Sequence, residues 1–143
     1  MFTIMKFIIF LALPLLFLSS SVSSDTYIGK WKIKGGSIIE IYRDGDYFYG
    51  KIDKRAERPL SNLNGLDNKN PLKELKGRPL LGMNILENLS YKDGELSGGT
   101  IYNADSGKSY IVKVWINSDN TDLCFIRAYK SFLFKTFEAR RVK

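Results

Sequence analysis

The sequence predicts an all-β fold, an eight-stranded antiparallel up-and-down barrel behind a cleaved signal peptide, and three observations carry that prediction. Residues 27–34 alternate lysines on one side with Trp31 and Ile33 on the other, the period of a strand with one face on a core and one in water. Comparable runs recur at 37–43, 47–53, 80–86, 95–102, 109–116, 122–129 and 132–142, most of them separated by turn residues. After the leader no segment sustains a helical period. Short strands joined by hairpin signals fit a barrel or a sandwich. We adopt the barrel, with Trp31 at the first inward position plugging one end.

The leader comes first. Residues 1–6 carry one lysine, residues 7–18 form an apolar run broken only by Pro14, and residues 19–24 are small and polar. These are the three zones of a secretory signal, with Val22 and Ser24 at the positions a signal peptidase reads, so residues 1–24 are expected to be removed and residues 25–143 to form one domain. The rival, an uncleaved anchor, needs roughly 20 apolar residues, and the run is shorter than that. The expected location is the periplasm or outside the cell. The only cysteine, Cys124, stands in Leu123-Cys124-Phe125-Ile126 and reads as a small buried hydrophobe rather than a reactive thiol. The chain is expected to be a monomer.

Each element has a local reason. Gly35-Gly36 turns the first strand into the second, and Asp44-Gly45 reverses the second into the third, because both turn residues must tolerate positive φ. Residues 54–79 lack any apolar period and make one long connection; such a segment in a small domain is usually functional or mobile. Within it, Asn70-Pro71 followed by Leu72 to Lys76 and Gly77 suggests a single helical turn. Gly98-Gly99 softens the fifth strand toward a bulge or bend.

The chemistry the sequence disfavours is as informative. Histidine is absent, which removes the usual general base and the commonest metal ligand, and a buried cysteine has no dyad partner. Asp44, Asp46 and Asp93 are accounted for by turns. Gly107-Lys108-Ser109 mimics the end of a phosphate loop, but Tyr102 stands where that motif needs glycine. Residues 117–122 lack the central Gly and closing Glu of a calcium loop. An enzyme is therefore not expected, nor any cofactor or metal. The formal charge is +7, spread over Lys30, Lys32, Lys34 and the terminal Arg140, Arg141 and Lys143. It reads as a solvated surface, or as an attraction to anionic lipid or polysaccharide. No recognition helix or single-strand-binding signature accompanies it, so no nucleic acid is expected.

Two resemblances follow from particular residues. Gly29-Lys30-Trp31 with Arg140 in the last strand resembles the lipocalin or calycin barrels, in which a first-strand Trp packs under a last-strand Arg; the resemblance implies a structural pair of Trp31 and Arg140. More closely, the chain resembles a family of small exported bacterial proteins known as domain of unknown function 2147. The residues that carry this are Gly29-Lys30-Trp31, Asp44-Gly45 leading to Tyr49-Gly50-Lys51-Ile52, Asp67-Asn68-Lys69-Asn70-Pro71, Arg78-Pro79-Leu80-Leu81-Gly82, and Ser106-Gly107-Lys108-Ser109-Tyr110. The resemblance implies a lipocalin-like barrel and no established activity.

The functional expectation is a small exported barrel that binds a small apolar or amphipathic ligand. Its inner wall is expected from Ile33, Ile52, Leu81 and Leu96 together with the cavity residues Ile39, Ile41, Phe48, Met83, Ile85, Val112, Val114 and Ile126, with Gly50 leaving extra room. Residues 54–79 would lie over the mouth as a lid, presenting Asp67, Asn70 and Arg78. Eight strands leave space either for one small ligand or for side chains alone. The alternative is therefore an envelope-associated interaction module with a fully packed barrel, acting through its loops and basic surface. A basic surface repels a basic target such as lysozyme, so an anionic envelope lipid or polysaccharide is the partner that this alternative retains.

Overall fold

The computed structural model describes residues 21–56 and 64–143. Nine strands run in chain order: β1 (Gly29–Ile33), β2 (Ile38–Asp44), β3 (Tyr47–Lys54), β4 (Asn84–Lys92), β5 (Glu95–Ser97), β6 (Thr100–Asn103), β7 (Lys108–Ile116), β8 (Leu123–Lys130) and β9 (Leu133–Arg141). They form one antiparallel sheet in the order β3-β2-β1-β9-β8-β7-β5-β4-β6, and a β3–β4 pairing closes it into a ring. β5 and β6 are two pieces of a single strand parted at Gly98-Gly99, both lying between β4 and β7. Counted as one, they make the ring an eight-stranded up-and-down barrel, and closure leaves no free sheet edge to pair with another chain.

The two ends of the barrel are built differently. At one end the chain enters through a short 3-10 turn, Ser24–Tyr27, and the Trp31 indole N–H donates to the Tyr27 carbonyl at 2.9 Å. The Tyr27 hydroxyl donates in turn to the Gly94 carbonyl at 2.6 Å, tying the entry to the β4–β5 turn. Tyr27, Trp31, Phe48, Leu86, Leu89, Leu96, Val114 and Cys124 are all buried there or just above in a single cluster. This end is closed by packing. Cys124 lies inside it, and burial pushes its thiol up to about 12, as a buried hydrophobe's would be. The expected leader falls mostly outside the described residues. Of its last residues, Val22 packs on the core and its carbonyl accepts the Tyr91 hydroxyl at 2.6 Å.

Two expectations about strands need correction. The fourth strand was expected at residues 80–86 and lies at Asn84–Lys92. Its apolar residues break period 2 because Asn88 takes a left-handed φ of 56°, adding a residue that shifts the register with β3 and puts both Leu86 and Leu89 inside. Leu81, expected on the inner wall, instead precedes the strand and is exposed. The room expected at Gly50 is also taken: a Cβ there would meet Leu86 Cδ1 at 2.8 Å. The glycine admits a leucine from the neighbouring strand rather than a ligand.

The Trp31 and Arg140 pair is corrected by one residue. β1 and β9 pair with Trp31 opposite Arg141 and Lys32 opposite Arg140, and residues directly opposite share a face. Arg141 therefore points inward with its guanidinium carbon 4.2 Å from the centre of the Trp31 ring. It also donates to the Thr26 carbonyl at 2.6 Å and to Asp122 at 3.2 Å. Arg140 points into solvent and pairs with Glu138 at 3.0 Å.

Candidate functional site

At the other end the described residues leave the barrel mouth uncovered. The β1–β2 turn, the chain leaving β3, the β6–β7 turn and the β8–β9 hairpin surround a cavity of about 700 Å³. Its wall comes from the mouth-side inward positions of the strands: Ile33 on β1, Ile52 on β3, Ile85 on β4, Ile101 on β6, Ile126 and Ala128 on β8, and Phe137 on β9. Lys34, Arg55, Lys130 and Lys135 stand among the lining residues nearer the rim, with Asp105 as the acidic one. Lys135 is an inward position of β9, opposite Ala128, and its ammonium lies 5.0 Å from the centre of the Phe137 ring. The arrangement is an apolar pouch with cations at its lip.

Of the eight expected cavity residues, Ile85 and Ile126 line this space. Ile39, Ile41, Phe48, Val112 and Val114 are inward, as expected, but belong to the close-packed half. Met83 sits in a separate small cluster with Ile52 and Leu80 under the long connection. The lining residues that sequence reasoning missed include Ile101, Tyr110, Ala128, Lys135 and Phe137. The inward parity of the last two was readable once Ala139 was recognised as a core position, because β9 alternates 133, 135, 137, 139 and 141 inward. The packed half and the cavity thus divide the inward positions between them.

The expected mouth residues Asp67, Asn70 and Arg78 come together, and they hold one another. Asp67 is wholly buried. One carboxylate oxygen accepts the Tyr102 hydroxyl at 2.6 Å, and the other accepts Asn70 Nδ2 at 2.8 Å and Arg78 Nε at 3.2 Å. Burial alone would raise its pKa, but the hydrogen bonds from Tyr102, Asn70 and Arg78 outweigh it and hold the carboxyl below the usual range. Tyr102 is pushed up to about 12, by burial first and then by its bond to the Asp67 carboxylate. The backbone repeats the closure. Asp67 N–H donates to the Arg78 carbonyl at 2.9 Å and Gly77 N–H to the Asp67 carbonyl at 3.0 Å.

This cluster pins the connection to β6. The expected helical turn is present as a short 3-10 turn, Lys73–Leu75, entered through Asn70, whose side-chain oxygen accepts the Leu72 N–H at 2.9 Å. Gly107 shows how tightly the loop seats: at φ 69° its missing side chain is replaced by the Lys69 carbonyl, which a Cβ would strike. Leu80 reaches the cavity wall from this segment. Part of the expected lid, residues 57–63, lies outside the described residues.

A closed eight-stranded antiparallel barrel with one packed end and one cupped end defines a lipocalin-like protein. A solved structure with the same fold is described as "Protein HP1028 from the human pathogen Helicobacter pylori belongs to the lipocalin family"; it matches with a TM-score of 0.70 and 23% identity over 86% of this chain and 85% of that one. The particular family is given by the sequence: the chain belongs to the family described as uncharacterized protein conserved in bacteria (DUF2147), whose model matches residues 29–141. No curated protein matches the chain.

Proposed function

We propose that the barrel is a non-catalytic binding protein, exported to the periplasm or beyond, that takes one small apolar or amphipathic molecule into its mouth cavity as a monomer. The observation that carries this reading is the cavity of about 700 Å³, a volume within the roughly 300 to 1,000 Å³ of small-molecule sites. Its chemistry is asymmetric. A hydrocarbon tail lies against Ile33, Ile85, Ile126 and Phe137, where it leaves water, and an anionic head stays at the lip beside Lys135 and Lys130. Transfer of each buried CH₂ is worth about 0.8 kcal/mol, so a long chain reaches micromolar affinity, on the order of −8 kcal/mol, even after the freezing of its rotors. The absence of histidine and the satisfied state of Asp67 support binding over catalysis.

The test is titration of the delipidated protein with an environment-sensitive fatty-acid probe. Ala128→Trp projects an indole from a small inward position into the cavity and is expected to abolish saturable binding while the fold persists by circular dichroism. Val112 and Ile41 are unsuitable for this purpose, since both are buried in the packed half and a Trp there overpacks the core. A wild type without saturable signal, or an Ala128→Trp variant that binds as well as wild type, refutes the cavity reading.

A further inference from the structure

The mouth carries a second feature, an apolar hairpin tip whose outermost residue, Phe132, lies outside the cavity lining. The β8–β9 hairpin turns through Ser131 and Phe132, with Ser131 at a left-handed φ of 53°, and exposes three consecutive apolar residues, Phe132 in the turn and Leu133 and Phe134 at the start of β9, with Phe134 against Tyr129 and Arg127. Phe132 is 90% exposed, Leu133 60% and Phe134 59%. On the neighbouring strand Ile111 is 67% exposed, directly opposite Tyr129, which in turn is opposite Phe134. Leu72 and Leu81, in the connection that walls the same mouth, are exposed too. At the packed end the exposed apolar residues are fewer and better covered: Ile28, Tyr47 and Val142.

Cations accompany the apolar tip. Lys130 and Lys135 flank the apolar tip, with Lys34 and Lys108 on adjoining turns. The packed end carries both signs, Asp44, Asp46, Asp93, Asp119 and Asp122 beside Arg43, Lys92, Arg140, Arg141 and Lys143, with Arg141 and Lys143 paired to Asp122. What sets the mouth apart from the base is therefore the apolar tip, with Lys34, Lys130 and Lys135 close to it. A contiguous apolar tip flanked by lysines is the composition that sits in a lipid headgroup region, where aromatic rings enter the interface and nearby lysines are attracted to anionic lipid.

We propose that the β8–β9 tip is a membrane-docking element that seats the barrel mouth-down on an anionic phospholipid bilayer. Phe132 and Leu133 enter the interface and Lys130 and Lys135 meet lipid phosphates, and the position of the apolar tip at the mouth fixes the orientation. The cavity then opens toward the bilayer. Docking does not depend on whether the cavity binds a ligand, so failure of the fatty-acid titration leaves this inference standing, and the reverse holds too.

The experiment is co-sedimentation of the exported protein with vesicles of phosphatidylglycerol and phosphatidylcholine, and with phosphatidylcholine alone, at low and at 0.5 M salt. Wild type is expected to sediment with the mixed vesicles at least tenfold better than with neutral ones, and to lose most of that preference in high salt. Phe132→Ser is expected to lower partitioning about tenfold with an unchanged urea midpoint, since nothing in the fold leans on that ring. Phe132→Trp is expected to show a blue-shifted emission on mixed vesicles, quenched by brominated lipid, which reads insertion directly. Equal sedimentation on both vesicle types, an unaffected Phe132→Ser, or a Phe132→Trp emission that does not shift overturns the proposal. So does a Phe132→Ser effect confined to dimerisation by light scattering, which makes the tip a contact between copies of the chain.

Discussion

Replacing the two arginines of β9 one at a time separates the register of the closed barrel from the off-by-one alternative. Arg141 places its guanidinium 4.2 Å from the Trp31 ring centre, donates to the Thr26 carbonyl at 2.6 Å and meets Asp122 at 3.2 Å. A partly desolvated cation–π contact contributes about 1 to 2 kcal/mol and a hydrogen bond from a charged group about 1.5 to 3. The Asp122 pair adds little, because that carboxylate is half exposed. Arg141→Ala is therefore expected to destabilise by about 2 to 4 kcal/mol. Arg140 is solvated and holds only Glu138, so Arg140→Ala is expected within about 0.5 kcal/mol of wild type. Trp31→Ala removes a wholly buried indole and is expected to lose about 3 to 5 kcal/mol. Urea melts report all three, with a common slope if the transition stays two-state. An Arg140→Ala variant as destabilised as Arg141→Ala refutes the register, and a neutral Trp31→Ala refutes the plugged end.

Three further outcomes follow from the same geometry. Asp67 titrates below its usual range in the folded chain, so its stabilising contribution is complete above the unfolded value of about 4 and is lost as pH falls through the lower folded value; Asp67→Asn is expected to lose about 2 to 3 kcal/mol at neutral pH and to flatten the acid limb of a stability–pH curve, and an unchanged acid limb counts against the cluster. Lys135→Gln is expected to weaken a fatty acid about five- to tenfold while leaving the corresponding alcohol unchanged, by the same probe displacement; equal losses for both would move the head group away from Lys135. Export is expected to leave a chain beginning Asp25-Thr26-Tyr27, read by intact mass, whereas a species that keeps Val22 retains the bond from Tyr91 and places the cut upstream.

What could be read from the residues was parity, and what could not was height. Alternation placed Ile39, Ile41, Val112, Val114 and Ile126 inward, and inward they are. Period 2 says nothing, however, about how far along the barrel axis an inward side chain sits. That is set by the stagger between strands, which is a property of the whole ring. Parity itself failed where the local pattern was interrupted. The Asn88 bulge hid β4, whereas the pairing of Trp31 with Arg140 was implied by the resemblance rather than by parity, and the β1–β9 register moves it to Arg141. Asp67, Asn70 and Arg78 were found by pattern, but Tyr102, which completes their cluster, lies a whole strand away, and no short-range signal connects them.

Once height is known, the division of labour within each strand becomes clear. On β7 the packed positions are Val112, Val114 and Ile116, and the cavity position is Tyr110. On β8, Cys124 is packed, Ile126 serves both halves, and Ala128 and Lys130 line the cavity. On β9, Arg141 and Ala139 belong to the base, while Phe137, Lys135 and Leu133 face the cavity. On these three strands the inward residues thus divide between a close-packed base and a cavity-lining mouth. Because a close-packed core is felt at the level of a single methylene, substitutions in the base are expected to change stability and leave ligand preference alone. Substitutions at Ala128, Lys135 or Phe137 are expected to do the reverse. A paired scan of Val114→Ala and Phe137→Leu, each followed by urea melt and probe titration, checks this. The first should lose about 2 to 4 kcal/mol with an unshifted probe affinity per folded molecule, and the second should shift the affinity several-fold with a melt within about 1.5 kcal/mol of wild type. If both variants move both readouts in proportion, the two halves are one coupled core and the cavity is only its loosely packed end.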